Sequence, residues 1–566
     1  MAVRHSFKMY TGSSNITEPL SHSAPKPEVC FGTVIGDDSH LDGPANLKMP
    51  NDLPLNSQQD AHEETADLNP FAMAKSHSGL LAILVVSLSL NLWNASFPVG
   101  YHGDEPKKVR FILDGIQDFH HPILLLQLSR IGNLICNFDD WHVVLVGRCV
   151  SAIAGMLTVL MTWTIARRFM TDRWACFAAI SVAVSPILVV HSHYLKEDVL
   201  FTACVIGTLW AWSRFAEHPG WKQTIWLGAL TGLACASHYK AALLGPLSVI
   251  LFLSCDVTDR RRHVLRFLAA SVIAGYVFFN VNFPILEDPQ TFVEGVLHEK
   301  DHALDGHSLR IHAKPEWFLF HFRNSLMPGL TPMVAIVAAI SLIALTAYWR
   351  SRGTDERMLI LFTVVYYIVP ELSPSKPAPD YGRYVLQIAP CLILLMTRGL
   401  QFAINSARSR WLKTAIALFA GCCVAVPLGD TILLCRHLLP DRDTREQAAE
   451  KITASGGSAI FEQYATAEHD VRCLGDFSVE DLRNQGHDFA VASSFRYERF
   501  FRGSRMADQD EWVYERHRRY VELFALPYVE LRPEWRSYGF SNPVIRIVDL
   551  RQPTVSSDSS ASSSVD

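Results

Sequence analysis

The sequence is short of charge and lacks the short motifs that mark several common classes of protein. Only 19% of the 566 residues are Asp, Glu, Lys or Arg, whereas soluble domains carry about 25%. The twelve cysteines include no C-x-x-C pair, so neither a zinc knuckle nor a disulfide framework is indicated. No G-x-G-x-x-G motif follows a predicted strand and opens a helix, so the sequence gives no sign of a nucleotide-binding fold.

What the chain has instead is hydrophobic residues, which make up 49% of the total. They fall in runs of membrane-spanning length, since a bilayer core of about 30 Å requires roughly 20 apolar residues per helix. We count about eleven candidate spans, near residues 77–97, 143–165, 174–192, 199–216, 223–239, 241–256, 264–283, 329–348, 358–372, 384–398 and 412–434. The sequence therefore predicts a polytopic α-helical membrane protein, with a transmembrane domain over residues 77–434.

The two ends of the chain differ from this domain in composition. Residues 1–76 and 553–566 are polar and without periodicity, and are predicted to be disordered tails. Residues 435–552 have the composition of a soluble domain. There, DTREQAAEKITASG predicts a helix ended by Gly456, and AIFEQYA, DFAVASSF and NPVIRIVDL predict strands. A small α/β or α+β C-terminal domain is expected.

Basic residues are concentrated in alternate links between the spans, as the positive-inside rule expects of cytoplasmic links. They are Arg167, Arg168 and Arg173, then Lys222, then Arg260, Arg261 and Arg262, then Arg350, Arg352 and Arg357, then Arg398, Arg408, Arg410 and Lys413. This pattern places the N-terminal tail in the cytoplasm. An odd number of spans then puts residues 435–552 on the outer face, together with the long loops 98–142 and 284–328.

The first outer loop contains HGDEP, followed by Lys107. One interpretation is a helix start, with Asp104 as the N-cap and Glu105 and Pro106 in the first turn. The other is a catalytic carboxylate beside a group of cations. Adjacent helical residues point about 100° apart, so Asp104 and Glu105 cannot both serve one substrate atom in a helix.

Further polar clusters are predicted at the same outer face. HHPILLLQLSR offers His120 and His121 as interfacial side chains, acid/base groups or metal ligands. SPILVVHSHYLKEDVL contains Lys196, Glu197 and Asp198, which form either a charged turn or part of a site.

Two more segments add cations to that face. ASHYKAALLGP contains Lys240, and ELSPSKPAPDYGRYVLQIAP contains Lys376, Arg383 and Tyr384. Lysine and arginine at the membrane boundary either bind lipid phosphate or extend their side chains toward water from an apolar surface.

Taken in this order, DEP, the HPI segment, SPILVVHSHYLKED and SKPAPDYGRYVLQIAP resemble membrane glycosyltransferases of the GT-C superfamily. The most similar branch is the protein mannosyltransferase and aminoarabinose transferase type of bacterial membranes. DTREQAAEKI and FSNPVIRIVDL are also similar to bacterial members, so the resemblance covers about residues 77–552. It implies a protein of the bacterial inner membrane.

The resemblance also implies a reaction. The donor would be a polyprenyl-phosphate-linked sugar, and the acceptor a hydroxyl on a glycan, lipid or protein at the outer face, with inversion at the sugar carbon. Asp104, with Glu105 beside it, corresponds to the catalytic base. The implied phosphate-binding residues are Lys107, Lys196, Lys240, Lys376 and Arg383, and the supporting residues are Asp198, His121 and Tyr384. Membrane lipids are expected partners, and nucleic acid is not.

One departure and one open question accompany this resemblance. Many relatives carry two prolines in the first-loop segment, whereas Pro122 is followed here by Ile123. Some relatives bind a divalent metal, for which His102, His120, His121, His191 and His193 could supply ligands, but their spacing defines no site. The sequence leaves the metal open.

A transporter is the alternative from another functional class. It would place ionisable residues near the middle of the membrane and broken helices in two symmetry-related halves. The charges here lie at the outer boundary instead, and no internal repeat is evident. The sequence favours the glycosyltransferase.

Overall fold

A computed structural model describes residues 70–115, 119–136, 140–253, 260–305, 318–373, 380–438, 440–501 and 511–552. The predicted C-terminal tail, residues 1–69 of the predicted N-terminal tail, and Lys376 lie outside these residues. The first helix begins at Pro70, within the stretch predicted as a tail.

The described chain is mainly helical. The helices are α1 (Pro70–Leu92), α2 (Glu105–Leu113), α3 (Leu124–Cys136), α4 (Asp140–Ala166), α5 (Asp172–Ala183), α6 (Pro186–Ser192), α7 (Glu197–Glu217), α8 (Trp221–Ser237), α9 (Leu244–Leu253), α10 (Arg260–Val281), α11 (Pro289–Asp305), α12 (Met327–Leu330), α13 (Pro332–Ala347), α14 (Thr354–Leu372), α15 (Ala389–Ser406), α16 (Arg410–Arg436), α17 (Thr444–Ser455), α18 (Val479–Asn484), α19 (Ser494–Phe501) and α20 (Glu511–Phe524). Short 3₁₀ turns include Tyr239–Leu243, Gly382–Tyr384 and Leu386–Ile388, and Phe322–Leu326 is a π-helical turn before α12.

Five stretches of the described chain are long and apolar enough to span a membrane, and they lie in α4, α7, α10, α16 and the segment Leu386–Ser406. Two bent pairs raise the number to seven: α5 with α6 at 53°, and Phe322–Leu330 with α13 at 114°. The chain is therefore an integral membrane protein, as predicted. The predicted count of about eleven stays a prediction, because several expected spans are helices too short to cross alone, such as Tyr239–Leu253.

Helices α8 and α10 pack with their backbones in close approach. A Cβ atom on Gly228 or Gly232 would lie 2.6 Å from the carbonyl oxygen of Ala270 or Ala274, respectively. Small residues at such positions let membrane helices approach closely. Most of α10 faces away from the bundle, with only 6% of its most apolar window buried, so this helix lies at the periphery.

The C-terminal part contains a four-stranded sheet of β1 (Ala459–Phe461), β2 (Phe489–Ser493), β3 (Tyr528–Leu531) and β4 (Ile545–Asp549) in the order β1-β2-β4-β3. The β1–β2 pair is parallel and the other pairs are antiparallel. Three of the four strands and helix α17 match the predicted segments, and Gly456 ends α17 in the left-handed conformation at φ 68°. The chain from Asn69 onward groups as one compact unit, so a separate C-terminal domain stays a prediction.

The C-terminal part is fixed to the loop between α1 and α2 and to the C-terminal part of α16. The guanidinium of Arg445 lies 3.4 Å from the ring centroid of Tyr101, and the Tyr101 hydroxyl donates to Glu446. On the other side, Arg536 forms an ion pair with Asp430 at 2.6 Å. These contacts hold helix α17 against the loop that contains Tyr101, and the segment between β3 and β4 against α16.

Candidate active site

The loop that carries Asp104 and Glu105 is held against α4 by a buried ion pair. Arg148 of α4 donates to both carboxylate oxygens of Glu105, at 2.9 and 2.6 Å. The same guanidinium donates to the carbonyls of Ala95 and Phe97, at 2.7 and 2.8 Å. Glu105 also accepts a hydrogen bond from the backbone N–H of Leu195 at 3.0 Å. Both oxygens of Glu105 are occupied, and the pair fixes the path of the loop.

Asp104 lies one residue earlier and has a different environment. It occupies the N-cap position of α2, but within the described chain its side chain makes no capping hydrogen bond. Its carboxylate keeps 47% of its surface accessible and lies 2.6 Å from the Lys196 ammonium. Burial of the loop opposes ionisation, but Lys196, His102 and Arg383 hold the pKa of Asp104 well below its ordinary value. Asp104 is an accessible, ionised carboxylate.

Lys196 connects Asp104 to a second carboxylate. Its ammonium lies 3.0 Å from Glu197, which is fully buried at the start of α7. Glu197 also accepts from the Lys108 ammonium at 2.6 Å, and His121 Nε2 lies 2.9 Å from it. The predicted residues Lys196 and His121 therefore belong to one network with Asp104.

The structure separates two neighbouring lysines of α2. Lys107, predicted to bind phosphate, lies on the exposed side of the helix, with its ammonium 5.2 Å from the ring centroid of Phe111. Lys108, which the sequence analysis did not select, points toward Glu197. Because adjacent helical residues point about 100° apart, only one of the two reaches the network.

Lys240 and Arg383 flank one aromatic ring. Their cationic groups lie 4.7 and 5.0 Å from the ring centroid of Tyr384, and Arg383 donates to the Tyr384 hydroxyl at 3.0 Å. The Lys240 ammonium lies 3.5 Å from the carbonyl oxygen of Arg383. Over the part of the chain that the structure describes, neither cation has a carboxylate within 4.0 Å, and the buried Nε of Arg383 has no hydrogen-bond partner. Within the described part of the site, Lys240 and Arg383 are therefore positioned to receive an anionic ligand.

A buried acid–histidine pair holds the turn that carries Arg383. His191 Nε2 lies 2.8 Å from Asp380, and His191 Nδ1 lies 2.6 Å from the carbonyl oxygen of Ile187. The other oxygen of Asp380 accepts from the backbone N–H of Gly382 at 3.0 Å. The pair thus fixes the backbone next to Arg383.

The other histidines considered as metal ligands have different contacts. Both ring nitrogens of His193 lie on backbone carbonyls, at 2.7 and 2.8 Å, and His120 stacks on His298 with centroids 4.5 Å apart. His102 accepts from the N–H of Asp104 at 3.2 Å, and burial lowers its pKa to about 4. Among the described residues, no three His, Cys, Asp or Glu side chains are grouped to hold a metal ion.

The site gathers residues from four segments that are far apart in the sequence: the first loop, the start of α7, the turn before α9 and the turn Gly382–Tyr384. Asp104 and Asp198 both act electrostatically on Arg383. Asp198 is buried, and its Oδ2 has no hydrogen-bond partner in the described segments. Sequence reasoning missed Arg148 and Asp380; the available signal for Arg148 was a lone arginine within an apolar span.

Comparisons with known proteins agree with this architecture. Residues 120–283 match the family model described as dolichyl-phosphate-mannose-protein mannosyltransferase. The apo oligosaccharyltransferase from Archaeoglobus fulgidus aligns at a TM-score of 0.50 and 11% identity, over 82% of this chain and 74% of that one. ArnT from Cupriavidus metallidurans bound to undecaprenyl phosphate aligns at 0.48 and 14% identity, over 85% and 98% of the two chains. No curated protein sequence matches the chain.

The structural alignment bears on the fold of this chain, and the family match bears on the type of protein. The oligosaccharyltransferase shares the fold with this chain, and residues 120–283 are similar to the family described as dolichyl-phosphate-mannose-protein mannosyltransferase. The resemblance to GT-C membrane glycosyltransferases predicted from the sequence is therefore confirmed. The matched segment contains His121, Lys196, Asp198 and Lys240 of the site.

Proposed function

We propose that this protein is an inverting glycosyltransferase that moves a sugar from a polyprenyl-phosphate-linked donor to an acceptor hydroxyl on the extracytoplasmic face. One observation carries the proposal: an accessible carboxylate, Asp104, lies in the same site as two cations, Lys240 and Arg383, that have no carboxylate partner among the described residues. Glycosyl transfer from a lipid phosphate needs both parts, a base for the acceptor and positive charge for the leaving group.

Asp104 is the proposed base. A positioned carboxylate takes the acceptor proton as the new glycosidic bond forms. Lys196, 2.6 Å away, keeps Asp104 ionised before substrate binds. When an anionic donor phosphate binds, its negative charge offsets the positive charge of Lys196 and Arg383 near Asp104. The pKa of Asp104 then rises, so that Asp104 accepts a proton more readily during the transfer step.

Glu105 does not share that role in the proposal, because Arg148 and the N–H of Leu195 occupy its oxygens. This matters for stereochemistry. Retention at the sugar carbon usually requires a second carboxylate as nucleophile, whereas a single accessible carboxylate supports one direct displacement with inversion.

Lys240 and Arg383 are the proposed phosphate ligands, with the Tyr384 hydroxyl beside them. Charge accumulates on the lipid phosphate as the bond to the sugar breaks, and fixed cations stabilise that charge. The planar guanidinium of arginine suits two phosphate oxygens, and lysine adds a point charge. Asp198, which acts electrostatically on both cations, stays a prediction as a supporting group. Lys376, which lies outside the described residues, stays a prediction as a phosphate ligand, and a divalent cation also stays open.

The cellular setting and partners are part of the same proposal. The basic links support a cytoplasmic N-terminus and an outer site, and the resemblance supports a bacterial inner membrane. One solved structure is of ArnT bound to undecaprenyl phosphate, and another is of an Archaeoglobus oligosaccharyltransferase in complex with an inhibitory peptide and a dolichol phosphate. Those names support a polyprenyl phosphate donor here, with a glycan, lipid or protein acceptor.

A transporter is disfavoured. The bent helix pairs are a feature that transporters also show, but the charged residues of the site lie at helix ends and in loops, where Asp104 pairs with Lys196 and Glu197 pairs with Lys108. The family match over residues 120–283 points to a glycosyltransferase.

The test compares source cells with and without the protein, by mass spectrometry of lipid-linked sugars and envelope glycans. We expect one lipid-linked sugar to accumulate and one glycan residue to disappear on deletion. Complementation with Asp104→Asn should fail, with turnover lowered about 10²–10⁴-fold, although the purified variant still binds undecaprenyl phosphate. Asp114→Asn, an exposed acid at the end of α2, is the matched control. An unchanged glycan and donor profile on deletion would reject the proposal.

A further inference from the structure

A cavity of about 220 Å³ lies between the C-terminal part and the turn that carries Arg383. Asp380, Tyr381 and Gly382 form one side of it, and Ser494, Phe495 and Tyr538 contribute from the other. The cavity is thus adjacent in the chain to a proposed phosphate ligand, yet most of its remaining wall belongs to the C-terminal part.

The hydroxyl of Tyr538 lacks a hydrogen-bond partner in the described part of the chain. Tyr538 is only 7% exposed, and its hydroxyl has no hydrogen-bond partner among the residues that the structure describes. It is buried against two glycines: a Cβ atom on Gly329 or Gly382 would lie 2.6 or 3.0 Å from it. A buried hydroxyl without a partner is unfavourable, so a bound group that hydrogen-bonds to Tyr538 would be stabilised here.

The charge of the cavity excludes the donor phosphate. Its described lining includes the acids Asp380 and Glu498 and contains neither lysine nor arginine. Burial opposes the ionisation of Asp380, but His191 and Arg383 lower its pKa to about 2. An anionic group would therefore be repelled here and attracted to Lys240 and Arg383.

The size and chemistry of the cavity suit a sugar ring. A volume of 220 Å³ corresponds to about seven water molecules of liquid, which is room for about one ring. Hydroxyl and carboxylate groups in the wall provide hydrogen bonds for a polyol, and the aromatic rings of Tyr381 and Phe495 provide apolar faces. Small-molecule sites commonly combine these two kinds of surface.

We infer that this cavity binds an uncharged sugar unit of the acceptor, with the Tyr538 hydroxyl as one of its hydrogen-bonding groups. The inference rests on the proposed function and makes it more specific. The acceptor is then a glycan or glycolipid, and it reaches the base from the side of the C-terminal part. The donor phosphate binds on the other side of the turn, at Lys240 and Arg383.

The kinetic test uses the full-length protein in lipid nanodiscs, with lipid-linked donor and with neutral envelope oligosaccharides from cells lacking the protein. Tyr538→Phe removes only the hydroxyl, and we expect the KM for the oligosaccharide to rise about fivefold while the Kd for undecaprenyl phosphate stays unchanged. Ser494→Trp, which fills the cavity, should abolish transfer and preserve that Kd. Tyr528→Phe, an exposed tyrosine outside the lining, is the control. Unchanged oligosaccharide kinetics in both cavity variants, or an equal loss of undecaprenyl phosphate binding, would overturn the inference.

A binding measurement separates this inference from the proposed function. Ser494→Cys places a thiol in the cavity wall, and its labelling by a maleimide is followed with the wild type as background. Protection of the thiol by the neutral oligosaccharides would support sugar binding in the cavity, whether or not the wild type transfers sugar. If the thiol is protected but the wild type transfers no sugar, only the proposed function is rejected. Full transfer by the wild type without any protection would reject the cavity alone.

Discussion

Arg148 and Glu105 form a buried, bidentate ion pair. The two distances between the guanidinium nitrogens and the carboxylate oxygens are 2.9 and 2.6 Å. The pair joins α4 to the loop that carries Asp104, and the side chains are 1% and 0% exposed. Two adjacent acids in the sequence therefore have separate tasks. Glu105 holds the loop, and Asp104 is left to face the site.

Glu105→Gln should mainly lower the free energy of unfolding and should affect the rate of sugar transfer less. It leaves the buried Arg148 guanidinium without its counter-charge, and breaking such a pair costs about 3–5 kcal/mol. The apparent midpoint of thermal unfolding in detergent should fall sharply, whereas Asp104→Asn should leave it nearly unchanged. The double variant Glu105→Gln/Arg148→Met should recover part of the loss, because no unpaired charge remains. Equal midpoints for the two single variants would contradict this division of tasks.

Lys240→Gln and Arg383→Gln should weaken binding of the lipid phosphate. Each removes one of the two cations beside Tyr384 that have no carboxylate within 4.0 Å in the described chain. A charged hydrogen bond contributes about 1.5–3 kcal/mol, so the Kd for undecaprenyl phosphate should rise about 10–100-fold. Arg110→Gln, an exposed arginine of α2, is the control for loss of a positive charge. Binding that is insensitive to both site variants would mean that the phosphate lies elsewhere.

Lys196→Gln should move the pH dependence of the reaction. The base must be ionised, and Lys196 helps to hold the pKa of Asp104 well below 3.8. In the wild type, kcat/KM should therefore stay level on acidification until below pH 3.8. Without Lys196, burial raises the pKa of Asp104, so activity should be lost at a higher pH. The pH profile of kcat/KM measures this shift, with Lys451→Gln, an exposed lysine of α17, as the control. Coincident profiles for wild type and Lys196→Gln would show that Lys196 does not set the pKa of the base.

Local sequence patterns predicted the local structure well. Asp443 caps α17 by accepting from the N–H of Arg445, Gly456 ends the same helix, and the alternating NPVIRIVDL segment contains β4. The positive-inside pattern also assigned four segments to one predicted face, and the structure brings these segments into one site. Each of these features depends on residues close together in the chain, or on the sum of charges in a link.

Pairs between distant residues were not predictable in the same way. His191 and Asp380 are 189 positions apart, and no periodicity relates them. Whether Lys107 or Lys108 reaches Glu197 depends on the rotation of α2 about its axis, and packing against neighbouring helices fixes that rotation. The number of spans also depends on packing, because short apolar helices such as Tyr239–Leu253 need neighbours to cover their polar ends.

Asp380→Asn tests whether Asp380, which also lines the proposed acceptor cavity, positions Arg383 for the donor. Asp380 accepts from Gly382 N–H at 3.0 Å and contacts His191 Nε2 at 2.8 Å, so its loss frees the backbone next to Arg383. Because Arg383 itself is unchanged in this variant, a saturating concentration of donor should bring the Gly382–Tyr384 turn back to its binding conformation. We expect the donor KM to rise about tenfold with kcat within a factor of about two, unlike Asp104→Asn, which lowers kcat. Asp380→Glu, which keeps the charge and both acceptor oxygens, should recover part of the donor affinity. If Asp380→Asn lowers kcat and leaves the donor KM unchanged, Asp380 acts on the chemical step and Arg383 is positioned by other contacts.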